Sequence, residues 1–241
     1  MIFGLFMGDW TLIPVFVAMI FTFVAQINVK STFNKYQNVR NRRSITGAEA
    51  ARKILDANGL SHTSVERVSG ELTDHYDPRA DIIRLSDSVY SSTSAAAVGI
   101  AAHEAGHAIQ HAQKYFPIKI RAAIIPITNL GSKLSMPLFL IGSILAYATA
   151  IPSPLATPLM LAGIICFSFS TLFQLVTLPT EFNASARAMA TLRGSAMLDT
   201  GELKAARKVL TAAALTYVAA LAYSLIYLLR LILIFNGNRR R

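Results

Sequence analysis

Leu159-Met-Leu-Ala-Gly-Ile-Ile-Cys-Phe-Ser-Phe-Ser-Thr-Leu-Phe-Gln-Leu-Val-Thr-Leu178 is a run of 20 residues without a charge, and Pro179-Thr180-Glu181 follows it directly. A helix rises about 1.5 Å per residue, so about 20 apolar residues cross the roughly 30 Å hydrocarbon core of a bilayer. The run predicts a membrane helix that delivers a carboxylate to the membrane boundary. Met136 to Ile151 is a second apolar stretch, separated from the first by a turn rich in proline (Pro152, Pro154, Pro158). Two spans joined by a short loop form a hairpin, which returns the chain to the side it left. Glu181 is therefore expected on the same side as the segment that precedes the hairpin.

Two further segments extend this pattern. Trp10 to Val29 reads as a first membrane helix with an interfacial Trp, and Asp9 is the only charge before it, which speaks against a cleaved signal peptide. Lys30, Lys35, Arg40, Arg42 and Arg43 follow it. By the positive-inside rule that block lies in the cytoplasm, and the hairpin brings Glu181 to the same side. Asp199-Thr-Gly-Glu202 has capping-box spacing and opens an Ala/Leu-rich region to Phe235, in which a fourth membrane segment is expected near 212–235. Arg230 interrupts that segment and is read as snorkelling to an interface. A full crossing would put Arg239, Arg240 and Arg241 outside, against the charge rule.

Composition agrees. Of 241 residues, 53% are hydrophobic and 15% charged, with a net charge of +10. Soluble domains run at about 25% charged, so a disordered, collagenous or disulfide-stapled chain is excluded and an integral membrane protein is indicated. The single Cys166 rules out an internal disulfide and a Cys-based zinc site. Lys and Arg gather beside apolar segments, which suits anionic lipid headgroups; nucleic acid is not expected as a partner.

Between Ser44 and Lys114 the chain becomes mixed in character. Thr46-Gly-Ala-Glu49 is a capping box, and Ala48, Ala51, Ile54 and Leu55 give a helical stripe, predicting a helix over 47–58 that ends at Asn58-Gly59. Val65–Val68 and Asp81–Leu85 have strand composition, with Gly70, Asp77 and Pro78 as turn residues. Ser94 then opens a helix from Ala95 to about Lys114, stopped before Pro117.

That helix contains His103-Glu104-Ala105-Gly106-His107. Two imidazoles four residues apart are separated by about 40° and about 6 Å, so both can address one Zn²⁺, while Glu104 reaches a water on the ion as general base. The ion would lower the pKa of that water towards about 7 and polarise a scissile carbonyl. His111 continues the spacing but lies about 12 Å from His103, too far for one tetrahedral ion, and is read as a polar or supporting residue. The longer motif with a third histidine needs Gly and His where Gln110 and Gln113 stand.

The preferred third ligand is Glu181, one of only three acids after Glu104, the others being Asp199 and Glu202. Pro179-Thr180 is read as starting a helix with Glu181 in its first turn. The competing reading makes Glu181 a dipole-stabilising cap. His₂Glu would leave a fourth position open, as hydrolysis requires.

With Asp74-His-Tyr-Asp-Pro78 upstream and Leu178-Pro-Thr-Glu-Phe-Asn-Ala-Ser185 downstream, the chain resembles the YugP-type bacterial membrane zinc metallopeptidases. These are related to the gluzincin group that holds the HtpX and CAAX-prenyl (Ste24) proteases. The resemblance implies one zinc held by His103, His107 and Glu181, with Glu104 as base. The wider group's Asp aligns with Ser185, which removes the carboxylate that would orient a zinc-binding His and leaves Ser185 or Asn183 for that task. It also suggests that the strand after Asp74, His75, Tyr76 and Asp77 is an edge strand for peptide substrate, the alternative being that these four form a polar turn. Tyr90, His75 and Arg187 are candidates for stabilising the oxyanion.

The expected architecture is mainly α and membrane-integral, with about four membrane helices and a small α+β gluzincin-like metalloprotease domain. It divides into an N-terminal membrane helix (1–29), a catalytic α+β region (44–118), a hairpin (119–180), a second catalytic segment (181–208), and a C-terminal membrane helix with basic tail (209–241). The expected activity is zinc-dependent endopeptidase action on membrane or membrane-associated proteins, in the bacterial inner membrane with the site facing the cytoplasm. Two alternatives are a site-2-type intramembrane protease using Asp199 and a non-catalytic scaffold.

Overall fold

Helix ends follow the capping chemistry of the sequence. The computed structural model describes residues 10–148 and 154–239; Asp9, Ile151, Pro152, Arg240 and Arg241 lie outside them. The elements in chain order are α1 (Leu12–Tyr36), α2 (Gly47–Ala57), β1 (Ser64–Val68), β2 (His75–Asp77), β3 (Ile82–Ser86), α3 (Asp87–Tyr90), α4 (Ala95–Ala112), α5 (Phe116–Ala148), α6 (Ala156–Gly194) and α7 (Thr200–Arg239). At α2, Thr46 N–H donates to Glu49 Oε2 (2.9 Å) and Glu49 N–H to Thr46 Oγ1 (3.2 Å). Asn58 ends α2, and Gly59 turns the chain at φ +73°, a conformation glycine adopts without strain. Ser94 Oγ accepts from Ala97 N–H at the start of α4.

Among the described residues four helices, α1, α5, α6 and α7, are long and apolar enough to cross a membrane. The chain is a mainly α integral membrane protein with a small α+β domain. Its contacts divide it into two compact units: Met1–Val24, Ile120–Thr177 and Tyr217–Arg241 form one, and Ala25–Lys119 and Leu178–Thr216 the other.

In the first unit the helices show apolar side chains outward, among them Phe16, Phe23, Ile144, Ile165 and Leu229, as lipid-facing surfaces do. Small residues let α5 and α6 approach. A Cβ on Gly163 would sit 2.7 Å from the Ser135 carbonyl oxygen, while Ser135 Oγ donates to the Gly163 carbonyl (3.0 Å).

The second unit packs α2 and α4 against a three-stranded sheet of order β1-β3-β2, with β1 parallel and β2 antiparallel to β3. Ile54 and Leu55 of α2 and Ile83 and Leu85 of β3 are buried beside Ala97, Ala101 and Ala105 of α4. Each such Ile or Leu contributes about 1.5–3 kcal/mol by leaving water.

Four expectations need correction. Pro179-Thr180 starts no helix: α6 runs unbroken through Pro179, so Glu181 lies deep within a 39-residue helix and the cap reading fails. The helix continues across one missing N–H, with Thr177 before the proline and Thr180 and Glu181 after it buried. The first arm of the hairpin begins at Phe116, not Met136, because Pro117 falls in a helix's first turn, where it is favoured. Arg230 does not interrupt α7, which is continuous from its capping box onward. Residues 75–77 are not a turn. They form β2, and β2 is an edge strand, as β1 is, whereas β3 lies in the centre of the sheet.

Candidate metal centre

One face of α4 carries His103, Glu104 and His107 to the second half of α6. Gly106 makes the approach possible, since a Cβ there would lie 2.7 Å from the Ala184 carbonyl oxygen. Only glycine fits between these backbones. The glycine within the His-Glu-Ala-Gly-His stretch thus sets the separation of the two helices that share the site.

The sequence-predicted ligands meet. His103 Nε2 lies 3.3 Å and His107 Nε2 3.4 Å from the same atom, Glu181 Oε2. Ligand atoms of these three residues all fall within 4.8 Å of one another, and the two rings stand edge to face with centroids 4.7 Å apart. A charge-assisted hydrogen bond would be shorter, about 2.7–2.9 Å. Two atoms on one tetrahedral zinc, with bonds of about 2.0–2.1 Å, stand about 3.3–3.4 Å apart. The donor set and the two His–Glu separations fit zinc.

Around these residues runs a layer of polar contacts. Ser185 Oγ lies 3.1 Å from His103 Nδ1. His107 Nδ1 lies 3.0 Å from Gln110 Oε1, and Gln110 Nε2 donates to the Thr180 carbonyl (2.8 Å) and to Asn183 Oδ1 (2.9 Å). Burial lowers the His107 pKa, but the neighbouring Glu181 and Glu104 carboxylates outweigh it and leave the pKa raised.

Glu104 is buried, and its Oε2 accepts the backbone N–H of Tyr76 (3.0 Å). That N–H points away from β3, so the base is fixed to the outer side of the edge strand. Tyr76 is held from its far end, where its hydroxyl donates to Asp81 Oδ1 (2.8 Å). Burial and this donation raise the phenol's pKa well above its ordinary value, so it stays protonated. Asp81 also accepts from Thr63 Oγ1 and pairs with His62. Asp74 accepts the N–H (2.7 Å) and hydroxyl of Ser86. Its pKa is raised by burial, Ser86 works against that shift, and the nearby Glu104 charge adds to it.

The chain's sequence matches the profile of a family described as "Putative neutral zinc metallopeptidase" over residues 11–236. The chain belongs to this family. It is 45% identical over 218 residues to the "Putative membrane protease YugP" of Bacillus subtilis (strain 168), an alignment covering 90% of this chain and 93% of that relative. No solved structure matches significantly. Membership in the zinc metallopeptidase family accords with the His₂Glu donor set.

Other candidates from the sequence are engaged elsewhere. His111 packs its ring against Tyr76, centroids 5.4 Å apart. His75 is exposed, its Nδ1 2.8 Å from the Thr73 carbonyl, and Tyr90 packs against the hydrophobic core. Arg187 donates to Asn183 Oδ1 and Gln113 Oε1. Asp199 is a helix cap: Glu202 N–H donates to Asp199 Oδ1, and Asp199 N–H to Glu202 Oε2, both at 2.8 Å. Sequence reasoning missed the backbone N–H of Tyr76, which no side-chain motif reveals. It also missed Gln110, whose place one turn after His107 was the available signal.

Proposed function

We propose that this family member is a zinc-dependent endopeptidase that hydrolyses peptide bonds of membrane or membrane-associated proteins. His103, His107 and Glu181 hold one zinc per chain, and Glu104 is the general base. The observation that carries the reading is the convergence of His103 Nε2 and His107 Nε2 on Glu181 Oε2 at 3.3 and 3.4 Å, beside a buried Glu104. Bound there, zinc supplies Lewis-acid chemistry, polarising a carbonyl and acidifying water. Glu104 Oε2 is held by Tyr76 N–H, so Oε1 is the atom that receives the proton.

Segments 44–118 and 181–208 form the catalytic part, and 1–29, 119–180 and 209–241 the membrane part. The separation of the contacts into two units supports this division. The basic block after α1 supports a site facing the cytoplasm of a bacterial inner membrane. The capping of α7 by Asp199 argues against the site-2-type alternative. A buried carboxylate beside the donor set argues against a scaffold, which has no use for a base.

Metal analysis tests the reading. Purified wild-type protein is expected to carry about one zinc per chain, Glu181→Ala none and Asp199→Ala the wild-type amount. Zinc-free, folded wild-type protein would overturn it.

A further inference from the structure

We infer that Gln110 is a positioning residue that fixes which nitrogen of His107 faces the metal, and that it does so by reading a backbone carbonyl of α6. The inference rests on the zinc reading above. It follows from which atoms can donate and which can only accept.

The Thr180 carbonyl oxygen only accepts, so the Gln110 atom 2.8 Å from it is the amide nitrogen. Arg187 Nε only donates, so the Asn183 atom 2.7 Å from it is the amide oxygen, and that same oxygen takes the second Gln110 proton at 2.9 Å. Turning the Gln110 amide over would set its oxygen against two acceptors in a fully buried place. Gln110 Oε1 is therefore committed to His107, 3.0 Å from Nδ1, and Nδ1 carries the proton. The lone pair is left on Nε2, the atom that faces Glu181.

The other ligand has no such device. Ser185 lies 3.1 Å from His103 Nδ1, and a hydroxyl both donates and accepts, so it stabilises either tautomer. Gln110 also ties His107 to the two residues that flank Glu181 within one turn, Thr180 and Asn183. One amide thereby sets the orientation of one ligand and its register with another.

The test compares Gln110→Met with Ser185→Ala in full-length, detergent-purified protein. Zinc affinity is measured by competition with a chromophoric chelator, and the zinc-loaded protein is labelled with ¹⁵N-histidine for NMR. Gln110→Met is expected to weaken zinc about 10–100-fold and to abolish one slowly exchanging Nδ1–H signal. Ser185→Ala is expected to keep that signal and to weaken zinc less than about threefold, since a hydroxyl is the weaker anchor. Folded Gln110→Met with affinity within about threefold of wild type, or with the signal intact, would overturn the inference; so would an equal loss in Ser185→Ala. Should Gln110→Met fail to fold, Asn183→Ala takes its place. It leaves Gln110 with only the Thr180 anchor and is expected to cost about three- to tenfold, and an unchanged affinity would overturn the inference. A wild-type protein without zinc would overturn the zinc reading as well, whereas tight wild-type binding untouched by Gln110→Met would overturn this inference alone.

Discussion

Helix α6 belongs to two units, and its halves obey different rules. Before Thr177 it presents Leu161, Ile165, Leu172 and Leu175 outward and packs through Gly163, Met160 and Ile164. After Leu178 its covered face is Thr180, Glu181, Ala184, Ala188 and Leu192, all below 4% exposed. On the outward face of the first half any apolar residue meets the demand, because lipid makes no specific contacts. In the second half single atoms matter: a carbonyl at Thr180, a carboxylate at Glu181, a hydroxyl at Ser185. One regular helix thus combines a region where composition suffices with a region where identity is required.

The largest expected effect separates the halves outright. Glu181→Ala removes one of three donors, and zinc affinity should fall beyond detection while the protein still inserts into membranes; metal analysis of membrane-extracted protein measures both. Next in size is Glu104→Gln. Its amide oxygen can still accept from Tyr76 N–H, so the side chain keeps its place and zinc is retained, but no atom remains to take a proton. Hydrolysis of an unfolded membrane-protein substrate should fall about 10²–10⁴-fold at unchanged zinc content. Undiminished hydrolysis would remove Glu104 from the mechanism.

The same contrast explains what could be read in advance. Uncharged length betrayed the spans, and the i, i+4 histidines with their glutamate betrayed a metal site, because both patterns are local. Glu181 was legible as a solitary acid after an apolar run, but its helical setting was not: Pro179 reads as a start, yet α6 runs through it with Thr177 and Thr180 buried before and after. β2 was unreadable for a similar reason. Three polar residues form a strand because β3 offers an antiparallel partner and Asp77 pairs with Arg84 across it (2.9 Å). The Tyr76–Glu104 contact is a backbone donor meeting a side chain 28 residues away, and no spacing rule contains it.

Steric tests sharpen the comparison, since both halves take part in tight approaches at a glycine. A methyl on Gly106 would lie 2.7 Å from the Ala184 carbonyl, and one on Gly163 2.7 Å from the Ser135 carbonyl. Both alanine variants should lose about 1–3 kcal/mol through overpacking, partly offset by about 1 kcal/mol of better helix propensity. Thermal unfolding in detergent measures that. Zinc content then distinguishes them: Gly106→Ala pushes α4 from α6 and should weaken binding, whereas Gly163→Ala should leave it intact. Equal zinc loss in both would mean that the two halves of α6 do not behave independently.

The smallest effect concerns the strand that holds the base. Tyr76→Phe keeps the ring against His111 and the N–H on Glu104, and removes only the hydroxyl donated to Asp81. Asp81 keeps Thr63 and His62, so the carboxylate is not stranded and the cost should be about 0.5–1.5 kcal/mol of stability. Zinc content should not change, because no ligand touches that hydroxyl. What should change is the precision with which β2 presents its N–H to Glu104, seen as faster amide exchange at Tyr76 and a fall in kcat smaller than that of Glu104→Gln. Unchanged exchange would mean that β3 pairing alone holds the edge strand, and that the Tyr76–Asp81 contact serves the fold and not the site.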